Sequence, residues 1–125
     1  MSHLYTKFIG ESLDDQLISH YPQITTINKY RHAPGCNANW HTEALPDETF
    51  DALIDRHLVE LEDAHETLTN SGVNRRVLYT TVTDSLQGNF ELSTEQVRRV
   101  AALGAALAVT VVHAKRAPRP PDRQR

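Results

Sequence analysis

The sequence predicts an α+β fold, a single domain with a mostly antiparallel sheet and helices packed on one face, in the order β-α-β-β-α-β-α-β. Three observations carry this reading. A helical apolar period holds through residues 47–68. Short β-branched and aromatic runs on either side of it are bounded by Gly, Pro or Asn. Ser93 stands three residues before Gln96, the spacing of a capping box. At 125 residues and 39% hydrophobic, the chain suits one core and is too short for two.

Residues 4–9 combine β-branched and aromatic side chains and stop at Gly10, which predicts the first strand. Ser12 has N-cap chemistry, and Asp14 and Asp15 follow where the helix dipole favours negative charge. The short helix carrying Leu13, Leu17 and Ile18 must end before Pro22. Residues 25–31 predict a second strand, Pro34-Gly35 a turn, and residues 39–43, around Trp40, a third strand. The long helix follows, with Pro46 near its first turn and Asn70-Ser71-Gly72 as its stop. Residues 76–83, rich in Val, Tyr and Thr, predict a fourth strand. A loop covers residues 84–89, and residues 90–92 resume pairing. From Ser93 a helix is predicted through Val97, Val100, Ala101, Gly104 and Leu107, and residues 109–113 close the domain as a strand.

Eight of the chain's 16 acids fall within residues 47–68, against the single Arg56. At about 100° per residue, Glu48, Asp51, Asp55, Glu62 and Glu66 share one ridge, separate from the stripe of Phe50, Leu53, Ile54, Leu58, Leu61 and Leu68. The stripe should dock and the ridge should stand exposed. A concentrated negative ridge repels nucleic acid and attracts basic protein surfaces. Its five carboxylates are therefore candidate partner-binding residues. Trp40 joins them as the aromatic centre such a contact would use, although an ordinary place in the core explains it as well.

Residues 115–125 hold five basic side chains, one acid and three prolines, with no large apolar anchor. They predict a disordered basic tail after a domain of residues 1–114. The single Cys36 can form no internal disulfide, and nothing near Met1 resembles a signal segment. The longest apolar stretch, residues 100–112, is interrupted by Gly104 and Thr110 and falls short of the roughly 20 residues a membrane span needs. A cytoplasmic protein with no membrane partner is expected.

Phe8-Ile9-Gly10, Ser12-Leu13-Asp14 and Ile18 stand near the start, and Trp40 leads into the long helix. The closing block runs from Phe90-Glu91-Leu92-Ser93 through Leu103-Gly104-Ala105 to Val109-Thr110-Val111. In this order the chain resembles a small bacterial family catalogued as domain-of-unknown-function family 4279, over most of residues 4–113. The resemblance implies a similar fold and brings no catalytic or binding residue with it.

Other constellations are weaker on chemical grounds. His32, Cys36 and His41 lie in H-x3-C-x4-H spacing, and Glu43 could add a fourth ligand, but structural zinc sites use paired spacings and no second Cys exists. His57 and His65 are two turns apart and cannot share an ion as i, i+4 histidines do; they suit packing with a hydrogen-bonded ring nitrogen. Five scattered glycines form no phosphate-cradling loop. Arg75-Arg76 and Arg98-Arg99 lack interleaved aromatics for base stacking and fit better as complements to the acidic helix.

The leading expectation is a non-enzymatic protein-binding domain that uses its acidic helix against a basic protein surface. An immunity-type protein neutralising a basic toxin or enzyme is the form this takes by analogy, with no cofactor, metal or nucleic acid. Two other readings stay open. One is a small-ligand-binding or enzymatic domain around His32, Cys36, Trp40 and His41. The other is a homo-oligomeric structural protein that pairs an edge strand or an apolar helix face.

Overall fold

Strand alternation and one amphipathic helix organise the molecule, whose computed structural model describes residues 3–83 and 91–112. The elements are β1 (His3–Gly10), α1 (Gln16–His20), β2 (Ile24–Lys29), β3 (Cys36–Glu43), α2 (Phe50–Asn70), β4 (Arg75–Thr83), α3 (Thr94–Ala102) and β5 (Ala105–Val112). They follow the expected order and form an α+β domain. The five strands make one sheet in the order β2-β3-β1-β4-β5. Every pairing is antiparallel except β4 with β5, which run parallel across the α3 crossover.

The period-2 alternation of the strands sets the two faces of the sheet. On β1 and β3, Leu4, Thr6, Phe8, Cys36, Ala38, Trp40 and Thr42 are buried on the helix side. Tyr5, Lys7, Asn39 and His41 point to the other side, where Tyr5 stacks on Tyr79 with ring centres 5.0 Å apart. Against the first face lies the stripe of α2, with Leu53, Ile54, Leu58, Leu61, Ala64 and Leu68 all buried. Leu17 of α1 and Val100 of α3 join the same core.

The end of β1 is bound tightly to the end of α2. A Cβ on Gly10 would stand 2.3 Å from the carbonyl oxygen of Gly72, whose φ of +107° is a glycine conformation. Asn74 N–H donates to the Ile9 carbonyl at 2.9 Å and Asp14 N–H to the Ser71 carbonyl at 3.1 Å. The register of α2 over the sheet is thereby fixed at its C-terminal end.

Several boundaries differ from expectation for local reasons. Helix α1 starts after Asp15 rather than Ser12, with the Asp14 carboxylate accepting from Gln16 N–H at 2.9 Å. β3 begins at Cys36, because the turn is complete at Gly35 with φ +123°. α2 begins at Phe50, three residues beyond Asp47, where Thr49 accepts from Ala52 N–H at 3.1 Å and caps it. α3 stops at Ala102, because Gly104 adopts φ +68° and ends the helix, so Leu107 belongs to β5. The expected loop, Phe90, His113 and the basic tail lie outside the described residues, whereas Glu91 and Leu92, expected to resume pairing, are in no strand and lead directly into the Ser93 cap of α3.

Candidate functional site

Helix α2 presents three different polar environments around its axis. The first faces α3. Gln96, 2% exposed, uses its side-chain oxygen to close the capping box with Ser93 N–H and its amide nitrogen to donate to Asp51 Oδ1 at 2.9 Å and Asp55 Oδ1 at 3.0 Å. One turn later Arg99 grips Glu62 with two hydrogen bonds of 2.8 Å and reaches Asp55 at 3.3 Å. That bidentate bond from Arg99 is the main cause of the lowered Glu62 pKa. Asp51, Asp55 and Glu62, expected to stand free, are thus the polar seam that seats α3 on α2.

The second environment is at the start of α2. Glu48 accepts two hydrogen bonds from Arg56, at 3.0 and 2.8 Å, and one from Leu45 N–H at 2.9 Å. The Arg56 bonds first and the Leu45 amide next pull the Glu48 pKa down to about 2. Arg56 also donates to the Glu43 carbonyl, so this cluster ties the turn between β3 and α2 to the helix.

The third is internal and centres on His57, which is fully buried. Thr42 Oγ1 lies 2.7 Å from its Nδ1 and Thr6 Oγ1 2.8 Å from its Nε2. The Thr42 hydroxyl donates its one proton to Glu60 Oε1 at 3.0 Å, so it accepts from His57 Nδ1–H. Nε2, on the other side of the ring, pairs with the Thr6 hydroxyl. Trp40 Nε1–H donates to the same Glu60 oxygen at 3.1 Å. The chain Thr6, His57, Thr42, Glu60 joins β1 and β3 to α2 through four polar side chains in a mostly apolar layer. The chain locks the helix to the sheet, with His57, Thr6 and Thr42 buried and Glu60 at its partly exposed end.

Trp40 belongs to that inner layer. It is 1% exposed, with Tyr21 at 4.9 Å and Phe8 edge-on at 6.2 Å between ring centres. The aromatic centre expected for a contact surface is therefore a core residue, because an even position on β3 turns it toward α2. Of the six expected contact residues, only Glu66 is exposed with no hydrogen-bonding or ionic partner among the described residues.

The constellation His32, Cys36, Trp40 and His41 does not come together. Cys36 and Trp40 face the helices, His41 faces the other side of the sheet 5.4 Å from the Tyr5 ring, and His32 is exposed between β2 and β3. Cys36 is 4% exposed and its thiol points to the Gly10 carbonyl at 3.7 Å. It lies at the edge of a cleft of about 410 Å³ lined also by Glu11, Asp15, Lys29 and Tyr30. Among the described residues no group of three or more His, Cys, Asp or Glu is placed to hold a metal ion, and no helix is long and apolar enough to cross a membrane.

Among the described residues, what remains open on α2 is its outward pole, opposite the buried stripe. Val59, 48% exposed, sits there with Asp63 one turn and Glu66 two turns ahead of it. Asp55 and Glu62 stand at the margin, with side chains 49% and 38% exposed. Asp63 was absent from the expected ridge because a wheel centred on Glu62 places it about 100° away. Its role becomes visible only once α3 is seen to cover the other side. Gln96 and Arg99, the residues that divide the helix, carried a local signal in the capping box and the basic pair but none for their distant acidic partners.

Comparison with family models, curated proteins and solved structures returned no match.

Proposed function

We propose that this chain is a non-enzymatic protein-binding domain whose outward pole of α2 engages a basic protein surface. The observation that carries the reading is the exposed Val59, bordered by the exposed and unpaired Asp63 and Glu66, on a side of α2 that neither the sheet nor α3 covers among the described residues. An apolar centre with a charged rim is the anatomy of a protein interface, and carboxylates of one sign steer a basic partner toward it. The immunity type follows by analogy: such a surface would cover the cationic substrate-binding face of a toxin or enzyme and block it. The family resemblance at Phe8-Ile9-Gly10 and the closing block is retained as part of the proposal.

The test is affinity capture with the full chain, followed by reversal of charge on the outward pole. Asp63→Lys with Glu66→Lys should release a captured basic protein while the far-ultraviolet circular dichroism stays that of the wild type. Retention of the same partner at unchanged affinity by this folded variant would overturn the proposal.

A further inference from the structure

The two edges of the sheet are built differently. At one edge, β2 is short, has an irregular register between Ile24 and Ile27, ends in Lys29 and is packed against α1. These are the devices by which natural sheets prevent further pairing. At the other edge, β5 spans Ala105–Val112 in the sequence AALAVTVV, with regular register to β4 over all eight residues. It carries no charge, proline or bulge. Leu107 and Val109 on its helix side are 41% and 42% exposed, and Val97 of α3 is 52% exposed. On its other side Ala106 and Thr110 are exposed as well. Parallel strands are ordinarily covered on both faces, yet this one is open on both among the described residues.

We propose that β5 is the site at which a second copy of this chain adds to the sheet, antiparallel and about a two-fold axis, continuing the five strands of one copy into those of the other. The outward N–H and C=O groups of an edge strand select another strand as occupant. Charge selects the same chain: β5 meets itself with no like-charge repulsion, whereas a basic partner finds no carboxylate on it. The sequence is also self-complementary. With the axis at Ala108, Leu107 lies opposite Val109 of the partner subunit, and Ala106 opposite Thr110 of the partner subunit, so large apolar pairs gather on the helix side and small residues on the other. A two-fold axis satisfies both halves with one contact and closes the assembly at two copies. This surface is separate from the outward pole of α2, and either can fail without the other.

Sedimentation velocity of the full-length chain over a range of concentrations tests this. The wild type should show a concentration-dependent species of twice the 14.1 kDa chain mass. Val109→Lys and Thr110→Lys each put a charge on an exposed position of β5, one per face, and should weaken dimerisation about tenfold or more. Asp63→Lys with Glu66→Lys should leave it unchanged. Circular dichroism identifies the folded variants, and Thr110→Lys serves if Val109→Lys does not fold. A wild type that stays monomeric to its solubility limit would overturn the inference, as would a dimer that a folded lysine variant leaves at full strength.

Discussion

The two polar flanks of α2 are made of the same residue types and have different fates. On one flank Asp51, Asp55 and Glu62 are met by Gln96 and Arg99, and acidic side chains become the means of holding a second helix. On the other, Asp63 and Glu66 border the exposed Val59 and meet no cation among the described residues. The charge of a helix face does not decide its use; the element that crosses it does. Stability should therefore depend on the first flank and association on the second.

The largest effect belongs to the stripe on which both flanks depend. Leu61 is 2% exposed beneath the middle of α2, and Leu61→Ala should cost about 2–5 kcal/mol by chemical denaturation. A cost below about 0.5 kcal/mol would mean that α2 is not docked and that the comparison of its flanks has no basis.

Next comes the seam with α3. Gln96→Ala with Arg99→Ala removes the capping box, the amide donors to Asp51 and Asp55, and the bidentate grip on Glu62. A loss of about 1–2 kcal/mol is expected from one cap and a partly exposed ion pair. Hydrogen exchange should show faster opening of residues 94–102 than of β1. Wild-type protection of α3 in this variant would break the distinction between the flanks.

The element order was legible because its boundaries are chemical: Gly10, Pro22, Pro34-Gly35, Asn70-Ser71-Gly72 and the Ser93 to Gln96 capping box each act within a few residues. The end of α3 was less legible. Ala101 to Ala108 is built from residues that serve a helix or a strand, and only the left-handed conformation of Gly104 decides where one becomes the other. The division of the acidic ridge was out of reach for a different reason. A helical wheel reports which residues share a side, whereas Gln96 and Asp51 meet across 45 residues of chain. The His57 chain was partly legible: a histidine in an apolar stripe predicted semi-buried packing with a hydrogen-bonded ring nitrogen, but Thr6 and Thr42 lie on strands whose pairing no local pattern fixes.

Acid stability gives a smaller, directional effect. The Glu48 pKa is lowered from 4.5 to about 2 in the folded chain, chiefly by Arg56. A carboxyl depressed on folding contributes stability that is fully present above its unfolded pKa and is lost as pH falls through the folded one. Glu48→Gln should therefore make stability less steep in pH between about 4.5 and 2, with equilibrium unfolding at stepped pH as the measurement. An unchanged slope would show that the Arg56 cluster is not formed in solution. The smallest effect is on the outward flank: Asp63→Asn with Glu66→Gln should leave stability within about 0.5 kcal/mol of wild type.

The association rate of a captured basic partner, measured by stopped flow at low and high salt, tests the central claim most directly. Wild-type association should be fast at low salt and fall steeply as salt rises, because steering depends on the summed field of the carboxylates. Asp63→Asn with Glu66→Gln should slow association at low salt and flatten its salt dependence, with the fold intact. Equal rates for the two proteins at both salt concentrations would contradict the account and leave the outward pole of α2 an ordinary solvated surface.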